Sequence, residues 1–502
     1  MSSYEDCKYL MNMMTTCVET FDAMQTMREI KAAIIDPLSN SVVTAGEFQD
    51  LIERELIHLK HSGLKAGARV CLEAHSDIQF LSRLLAVIES GCIAIPFDPK
   101  STAAEFQRLI ASSQPDFRYS AETGCLEPLR HGERSGPALP SDARLFLLTS
   151  GTTGAPKAAI HGLSNLQARF ENGRRAIDQA SRRSCLSILP LHFGHGLIGV
   201  VLQALLDSDR LVLVPPELGD PGVASKIGKW IDEYEVTFVS GTPATWTYIT
   251  RMSAPPSNGS LRRVQMASAH ATEELQRKVR DWAPGAAFYN CYGMTETATW
   301  VSDRLIEDGI EPHNVGSGNN WNTSFKIVSP DENGVGEVAV TTASRFYGYL
   351  ADWKGETTRE TQYLTGDWGQ LNRDGELLLL GRRNRIINRG GLKVSPEEVE
   401  REILGLGLVE DVVVFGSSAL NEQRTSVDSI IGIVVVKPGI DERVGREIEK
   451  ALTQGLLKTL SPHKVPNQWL VWDSIPRRTN GKLDTGAIRD KFRGKQSDGT
   501  DV

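Results

Sequence analysis

The strongest constraint on this chain is the alternation of short apolar runs with helix-length amphipathic segments between residues 45 and 241. Residues 45–66 place Phe48, Leu51, Ile52, Leu56 and Leu59 at helical spacing and stop at Gly63. ARVCLEA (68–74) then alternates as a strand, FLSRLLAVIESG predicts a helix closed by Gly91, and CIAIPFDP predicts a short buried strand. The order repeats through LFLLTS, a helix around 164–180, CLSILP, a helix near 196–206, RLVLVP, a helix around 222–234 and VTFVSG. Strands alternating with helices imply mostly parallel sheets covered by helices on both faces, so the fold class is α/β. At 502 residues the chain exceeds what one hydrophobic core serves, and at least two domains are expected.

After about residue 321 the pattern changes. FKIVSP, GEVAVTT and GELLLLG, separated by Gly, Asn and Asp turns, predict antiparallel β structure, a small β-barrel-like part of the first domain. GRRNRIINRGG (381–391) carries four arginines in eleven residues, and the domain boundary is placed inside it, at Asn384. Domain one is therefore 1–383 and domain two 384–502. The second is a small α+β unit with a helix at 396–405, the strands DVVVFG and IIGIVVVKP, a helix at 441–459 and the strand WLVWD. The last ten or so residues, including KQSDGTDV, read as disordered.

Charge and cysteine usage exclude several classes. A net charge of −8 argues against a non-specific nucleic-acid binder, which needs a basic face. Seven scattered cysteines without a CxxC spacing suggest neither a disulfide framework nor a zinc site. The N-terminus lacks the pattern of a signal peptide, the C-terminal DGTDV is no familiar address, and no run of apolar residues is long enough to span a bilayer. A soluble, cytoplasmic protein is expected.

Four stretches carry chemistry. In TSGTTGAPK (149–157), consecutive small residues offer backbone N–H groups and hydroxyls to an anion, and Lys157 adds a point charge. Because Lys157 follows Pro156 and precedes Ala158, this is not a Walker loop, and taken alone the stretch reads equally well as a flexible turn. FYNCYGMTETATW (288–300) gathers Tyr292, Gly293, Thr295 and Glu296, an aromatic face for a purine and a carboxylate for Mg²⁺ beside phosphates. YLTGDWGQ offers Asp367 for the two hydroxyls of a ribose, with Arg382 fifteen residues on. PRRTNGKLD presents Lys482 on a glycine-containing turn. Each carboxylate and cation is, singly, also readable as an ordinary turn or surface residue. His192 and His195 of LPLHFGHGL have helical i, i+3 spacing but lack a third ligand, so metal is not indicated.

TSGTTGAPK, YGMTE, TGDW, GRRNRIINRGGLKVSPEEVE and PRRTNGK, in that order, resemble the signature set of the AMP-forming adenylating enzymes, which include acyl- and aryl-CoA synthetases, stand-alone adenylation domains and firefly-type luciferases. The resemblance runs from about residue 45 to 490, with weaker matches such as GEVAV and YGYL. It implies two half-reactions, formation of an acyl-adenylate from ATP and then thioester formation with CoA. It also implies that Thr149, Ser150, Gly151, Thr152, Thr153, Gly154 and Lys157 grip the phosphates, that Tyr292 lies on the adenine, and that Asn290 and Gly293 belong to the ATP site. Thr295 would touch the α-phosphate, Glu296 hold Mg²⁺, Asp367 and Arg382 hold the ribose, and Lys482 bridge carboxylate and phosphate. The second domain would swing about Asn384 between steps. His192, Phe193, Ala269 and Cys291 would lie in the acyl pocket, and Arg389, Gly390, Gly391 and Lys393 beside the pantetheine tunnel.

The chain departs from the pattern at three places. Asn384 stands where Asp or Lys is usual, and Asn tolerates unusual φ/ψ. Asn388 gives the INRGG form common among acyl-CoA ligases. PLHFGHG supplies no Asp for an α-ammonium group, which disfavours an ordinary amino acid as substrate, since a buried unpaired cation is costly. No segment resembles a carrier domain, so the thiol comes from outside, from CoA or alternatively from the phosphopantetheine of a separate carrier protein. Arg389 and Lys393 tilt the expectation toward CoA. Loss of Lys482, Glu296 or Asp367 would have marked an inactive nucleotide-binding paralogue, and all three are present. Monomer and homodimer both remain open.

Overall fold

The computed structural model describes residues 30–120, 123–129, 137–150, 156–215, 220–268, 273–307, 310–311, 313–355, 362–382, 385, 387–389, 392–416, 429–440, 447–460, 462–478 and 483–497. Within these stretches the side chains at 150, 388, 389, 392, 393 and 493–497 are not described. By contacts the chain divides into two compact units, one of residues 1–324 and 341–363, the other of 325–340 and 364–502. Asn384, where the sequence places the boundary, lies outside the described residues.

The first unit holds two mixed sheets, each with a parallel centre. One orders its eight strands as Thr299–Leu305, Ala287–Met294, Arg263–Met266, Phe238–Gly241, Ser184–Ser187, Arg210–Leu213, Ala33–Asp36 and Ser41–Val43, antiparallel only at its two edges. The other has seven strands, with Ala143–Ser150, Ile93–Phe97, Arg69–Glu73 and Phe117–Tyr119 parallel at its centre. The central strands are buried along most of their length because both faces are covered. Along Arg69–Glu73, Val70 and Leu72 enter one core cluster and Cys71 enters another on the opposite face.

The helices begin where the sequence signals them. Thr44 caps Ala45–His61, accepting from the Glu47 N–H at 3.2 Å while Glu47 Oε2 accepts from the Thr44 N–H at 2.8 Å. Asp77 caps Ile78–Glu89 by accepting from the Phe80 N–H at 2.7 Å. The segment expected to be helical near 196–206 is a π-helix, His195–Leu202, running into an α-turn, Gln203–Asp207. Its glycines allow close packing: a Cβ on Gly196 would sit 2.5 Å from the Pro190 carbonyl oxygen, and one on Gly199 would sit 3.3 Å from Trp300. The single helix expected at 222–234 is two short ones, Pro221–Ala224 and Ile227–Glu233.

In the second unit the expected barrel-like part is an open sheet. Its four strands, Ser324–Val328, Gly336–Thr341, Tyr363–Leu371 and Leu377–Arg382, pair in that order, and among the described residues no pairing joins the two end strands. A barrel closes only when its first and last strands pair, and here the outer strands are Ser324–Val328 and Leu377–Arg382. Beyond it, Val409–Gly416, Ile430–Val436 and Gln468–Val471 form a three-stranded sheet. Val412 and Val414 join one core cluster with Ile403 and Leu452, while Val413 and Phe415 join another with Ile488 and Phe492. The uninterrupted DVVVFG run is thus a strand buried on both faces. The expectation of a disordered tail is corrected in part: the helix Thr485–Ser497 includes Lys495, Gln496 and Ser497, anchored upstream by Ile488 and Phe492, and 498–502 lie outside the described residues.

Candidate active site

A hairpin organises the candidate site in the first unit. Ala287–Met294 runs antiparallel to Thr299–Leu305, and the turn between them, Thr295–Thr297, carries two of the expected site residues. The hairpin is tight enough to demand glycine at 293: a Cβ there would lie 1.9 Å from the Thr299 carbonyl oxygen. Ala298 and Thr299 take left-handed backbone angles, φ 51° and 95°, a cost of order 1–3 kcal/mol each that persists at functional turns. The Thr297 hydroxyl locks the turn, donating to the Thr299 carbonyl at 2.8 Å, and the Met294 N–H donates to Thr297 Oγ1 at 3.2 Å.

Glu296 on this turn meets two residues from distant parts of the chain. The Tyr349 hydroxyl donates to Glu296 Oε1, and the Phe346 N–H donates to the Glu296 carbonyl at 2.8 Å. Burial, reinforced by the Glu296 charge, holds the Tyr349 hydroxyl well above the usual phenol range, so it stays a donor. Lys157 places its ammonium 5.0 Å from the centre of the same Tyr349 ring. Lys157 pairs with Thr149 across the strands Ala143–Ser150 and Pro156–Gly162, with the Thr149 hydroxyl 3.4 Å from the Lys157 carbonyl. Cation, carboxylate and phenol from residues 157, 296 and 349 thus form one cluster. Tyr349 was missed by sequence reasoning, its only signal being the weak YGYL match.

Asn290 and Tyr292 are buried on the same strand, with the Asn290 amide donating to the Asn314 carbonyl at 3.1 Å. His192 lies against Phe193 with the rings tilted and their centres 4.1 Å apart, and 3.9 Å from an Asp98 carboxylate oxygen; burial holds its imidazole below the usual range. His195, the other histidine of the segment, is the one that reaches the hairpin, edge-on to Trp300 at 5.3 Å. Its nitrogens meet the hydroxyls of Ser268 at 3.0 Å and Ser240 at 2.8 Å, and burial, with Arg169 nearby, pushes its pKa down to about 3, so it is neutral. Cys291 is buried, and burial raises its thiol well above the usual range.

In the second unit Asp367 and Arg382 are register partners on neighbouring strands, and Arg382 Nε meets Asp367 Oδ1 at 2.8 Å. Asp367 is 6% exposed, which fixes its carboxylate against the guanidinium. Arg389 and Lys393 lie on a small hairpin, Ile387–Arg389 with Leu392–Val394. The expected residues Gly151, Thr152, Thr153, Gly154, Ala269, Asn384, Gly390, Gly391 and Lys482 lie outside the described residues, as do the side chains of Ser150, Arg389 and Lys393.

A Mg²⁺ ion suits Glu296 on the chemistry of its donors. Among the described residues no group of three or more His, Cys, Asp or Glu side chains is placed to hold a metal ion. Mg²⁺ commonly takes one or two carboxylates and completes its shell with water and substrate phosphates.

A family model described as AMP-binding enzyme matches residues 22–350. The chain is similar to an oxalate–CoA ligase of Arabidopsis thaliana, 26% identical with 90% of this chain and 93% of that protein covered. It is also similar to a feruloyl-CoA synthase of an Amycolatopsis species, 26% identical over 90% of this chain and 94% of that protein. Among solved structures, ATP-bound MatB from Rhodopseudomonas palustris superposes with a TM-score of 0.75 at 21% identity, covering 93% of this chain and 96% of that one. Among the described residues no helix is long and apolar enough to cross a membrane.

Proposed function

This chain belongs to the AMP-binding enzyme family, and from that premise we propose that it is an acid–CoA ligase working through an acyl-adenylate. A carboxylate oxygen of the acid attacks the α-phosphorus of ATP and pyrophosphate leaves; the CoA thiol then attacks the acyl carbon and AMP leaves. The observation that carries the reading is the joining of Lys157, Glu296 and Tyr349, a cation and an oriented carboxylate beside the loop expected to hold phosphates.

Lys157 and the backbone of residues 149–154 bind the triphosphate, and Glu296, aimed by Tyr349, holds Mg²⁺. When bound there, Mg²⁺ would supply positive charge to neutralise the phosphates. Thr295 contacts the α-phosphate, Tyr292 with Asn290 and Gly293 borders the adenine, and Asp367, set by Arg382, accepts the ribose hydroxyls. Lys482 neutralises the charge that develops between carboxylate and phosphate. Asn384 is the pivot between the two steps, Arg389 and Lys393 meet the phosphates of CoA, and His192, Phe193, Ala269 and Cys291 border the acyl group. A reducing compartment such as the cytoplasm suits the free cysteines 71, 92, 125, 185 and 291. The names of the relatives, with oxalate in one and a feruloyl group in another, do not select the acid.

The test is product analysis with ATP, CoA and a panel of acids. AMP and pyrophosphate are the expected products, and ADP with phosphate would overturn the reading.

A further inference from the structure

Arg169 is the least explained charge in the first unit. It sits in the helix Leu163–Ala176, 0% exposed, packed between the rings of Trp300 and Trp321 at 5.2 and 5.0 Å. Its Nε donates to Thr299 Oγ1 at 2.7 Å and one terminal nitrogen, Nη1, donates to Gln203 Oε1 at 3.1 Å. The other, Nη2, has no hydrogen-bond partner among the described residues, and neither has the indole N–H of the fully buried Trp321.

Nor does a described carboxylate pair with it. Asp207 is near enough to feel the charge, but its oxygens are taken by Arg174 at 2.7 Å, Arg182 at 3.1 Å and the Gln203 amide. Cys291, also nearby, stays a neutral thiol. His195, on the other side of Trp300, is a neutral imidazole. The neighbourhood therefore holds an excess of positive charge, with unused donors on the buried side chains of Arg169 and Trp321. Burying an unpaired cation is expensive unless something anionic completes it. The position is informative: the residue that Arg169 grips, Thr299, lies three positions beyond Glu296 on the hairpin of the candidate site, and His195 and Trp300 pack beside it.

We infer that Arg169 is the specificity-determining receptor for a second, distal carboxylate on the acid, so that the substrate class is a short dicarboxylic acid. This rests on the acid–CoA ligase reading above. One carboxylate is activated near Glu296 and the other accepts from Arg169 Nη2. A guanidinium suits this role because its fixed fork reads a planar carboxylate, which an ammonium does not.

The test is ATP–pyrophosphate exchange with oxalate, malonate, succinate and glutarate, set against their monomethyl esters and monocarboxylic acids of equal length. Wild type, Arg169→Met and Arg169→Lys are compared. The wild type is expected to prefer the diacids over their half-esters. Arg169→Met should lower kcat/KM for diacids roughly 10- to 100-fold, largely through KM, and leave the monoacids little changed, the scale of one lost hydrogen bond to a charged group. Arg169→Lys should recover only part. Replacing the buried charge with an apolar side chain of similar volume should not lower the melting temperature. Malonate or succinate alone should raise the melting temperature of the wild type but not that of Arg169→Met.

Fastest exchange with acids lacking a distal anion would overturn the inference and leave the ligase reading standing. So would an equal loss on every acid in Arg169→Met, which would make Arg169 a packing cation. If Arg169→Met does not fold, the wild-type preference and Arg169→Lys decide. Exchange with no acid at all would remove the ligase reading, and this inference with it.

Discussion

Glu296 shows how much of a site depends on a residue that only a weak match, YGYL, signals. Its carboxylate is aimed by Tyr349, whose ring also faces Lys157 and packs edge-on to Phe346 at 5.0 Å. Tyr349→Phe keeps the ring contacts and removes the hydroxyl donor. The expected outcome is a fall of roughly 10–100-fold in activity, recovered in part by raising Mg²⁺, because partners that orient a metal ligand have effects of that size. Exchange rates titrated with Mg²⁺ at saturating ATP check it, and an unchanged Mg²⁺ dependence would show that Tyr349 merely packs. Asp367 and Arg382 were legible as separate residues from TGDW and GRR, but their pairing at 2.8 Å is a matter of strand register. Arg169 carried no signal at all, since an arginine in a helix of mixed polarity reads as solvated until its side chain is found between two tryptophan rings.

At the scale of elements, the helix Pro396–Gly405 shows what packing does to ordinary charges. Its N-terminus is capped by Ser395, which accepts from the Glu398 N–H at 3.2 Å. Arg385 reaches this helix, meeting Glu397 at 2.8 Å and Glu400 at 2.6 Å, and Glu400 also accepts from the Val414 N–H at 2.7 Å. Burial pushes the Glu400 carboxyl up to about 7 although Arg385 opposes it. A carboxyl raised in the folded state contributes stability that is fully present below its unfolded value and fades as pH rises through 7. Stability of the second unit should therefore decline between about pH 4.5 and pH 7, by at most ~3 kcal/mol from this group. Glu400→Gln should flatten that decline. Denaturant unfolding at pH 5 and pH 8 decides it, and an equal slope in the variant would assign the pH dependence elsewhere.

For the whole molecule, the family reading assigns the two half-reactions different catalytic partners, and Lys482 tests that division. Lys482→Ala should abolish ATP–pyrophosphate exchange and largely spare thioester formation from a supplied acyl-adenylate and CoA. Equal losses in both would make the lysine structural. The alternation of strands and helices and the family were legible in the sequence, because period-2 and helical patterns, caps and glycine turns are local, whereas the two compact units divide the chain by contacts that interleave 325–340 with 364–502. The runs 411–416 and 430–436 announced strands for the same reason, and the structure adds that both of their faces are buried. Motifs such as YGMTE were legible because a turn this tight constrains its own residues: only glycine clears the Thr299 carbonyl from position 293. What tertiary structure alone decided were the meetings across sequence: Tyr349 on Glu296, His195 on Trp300, Arg382 on Asp367, and Arg169 closed in with no carboxylate of its own among the described residues. Pairings of this kind depend on strand register, helix packing and burial, and these are properties of the folded chain with no counterpart in residue spacing.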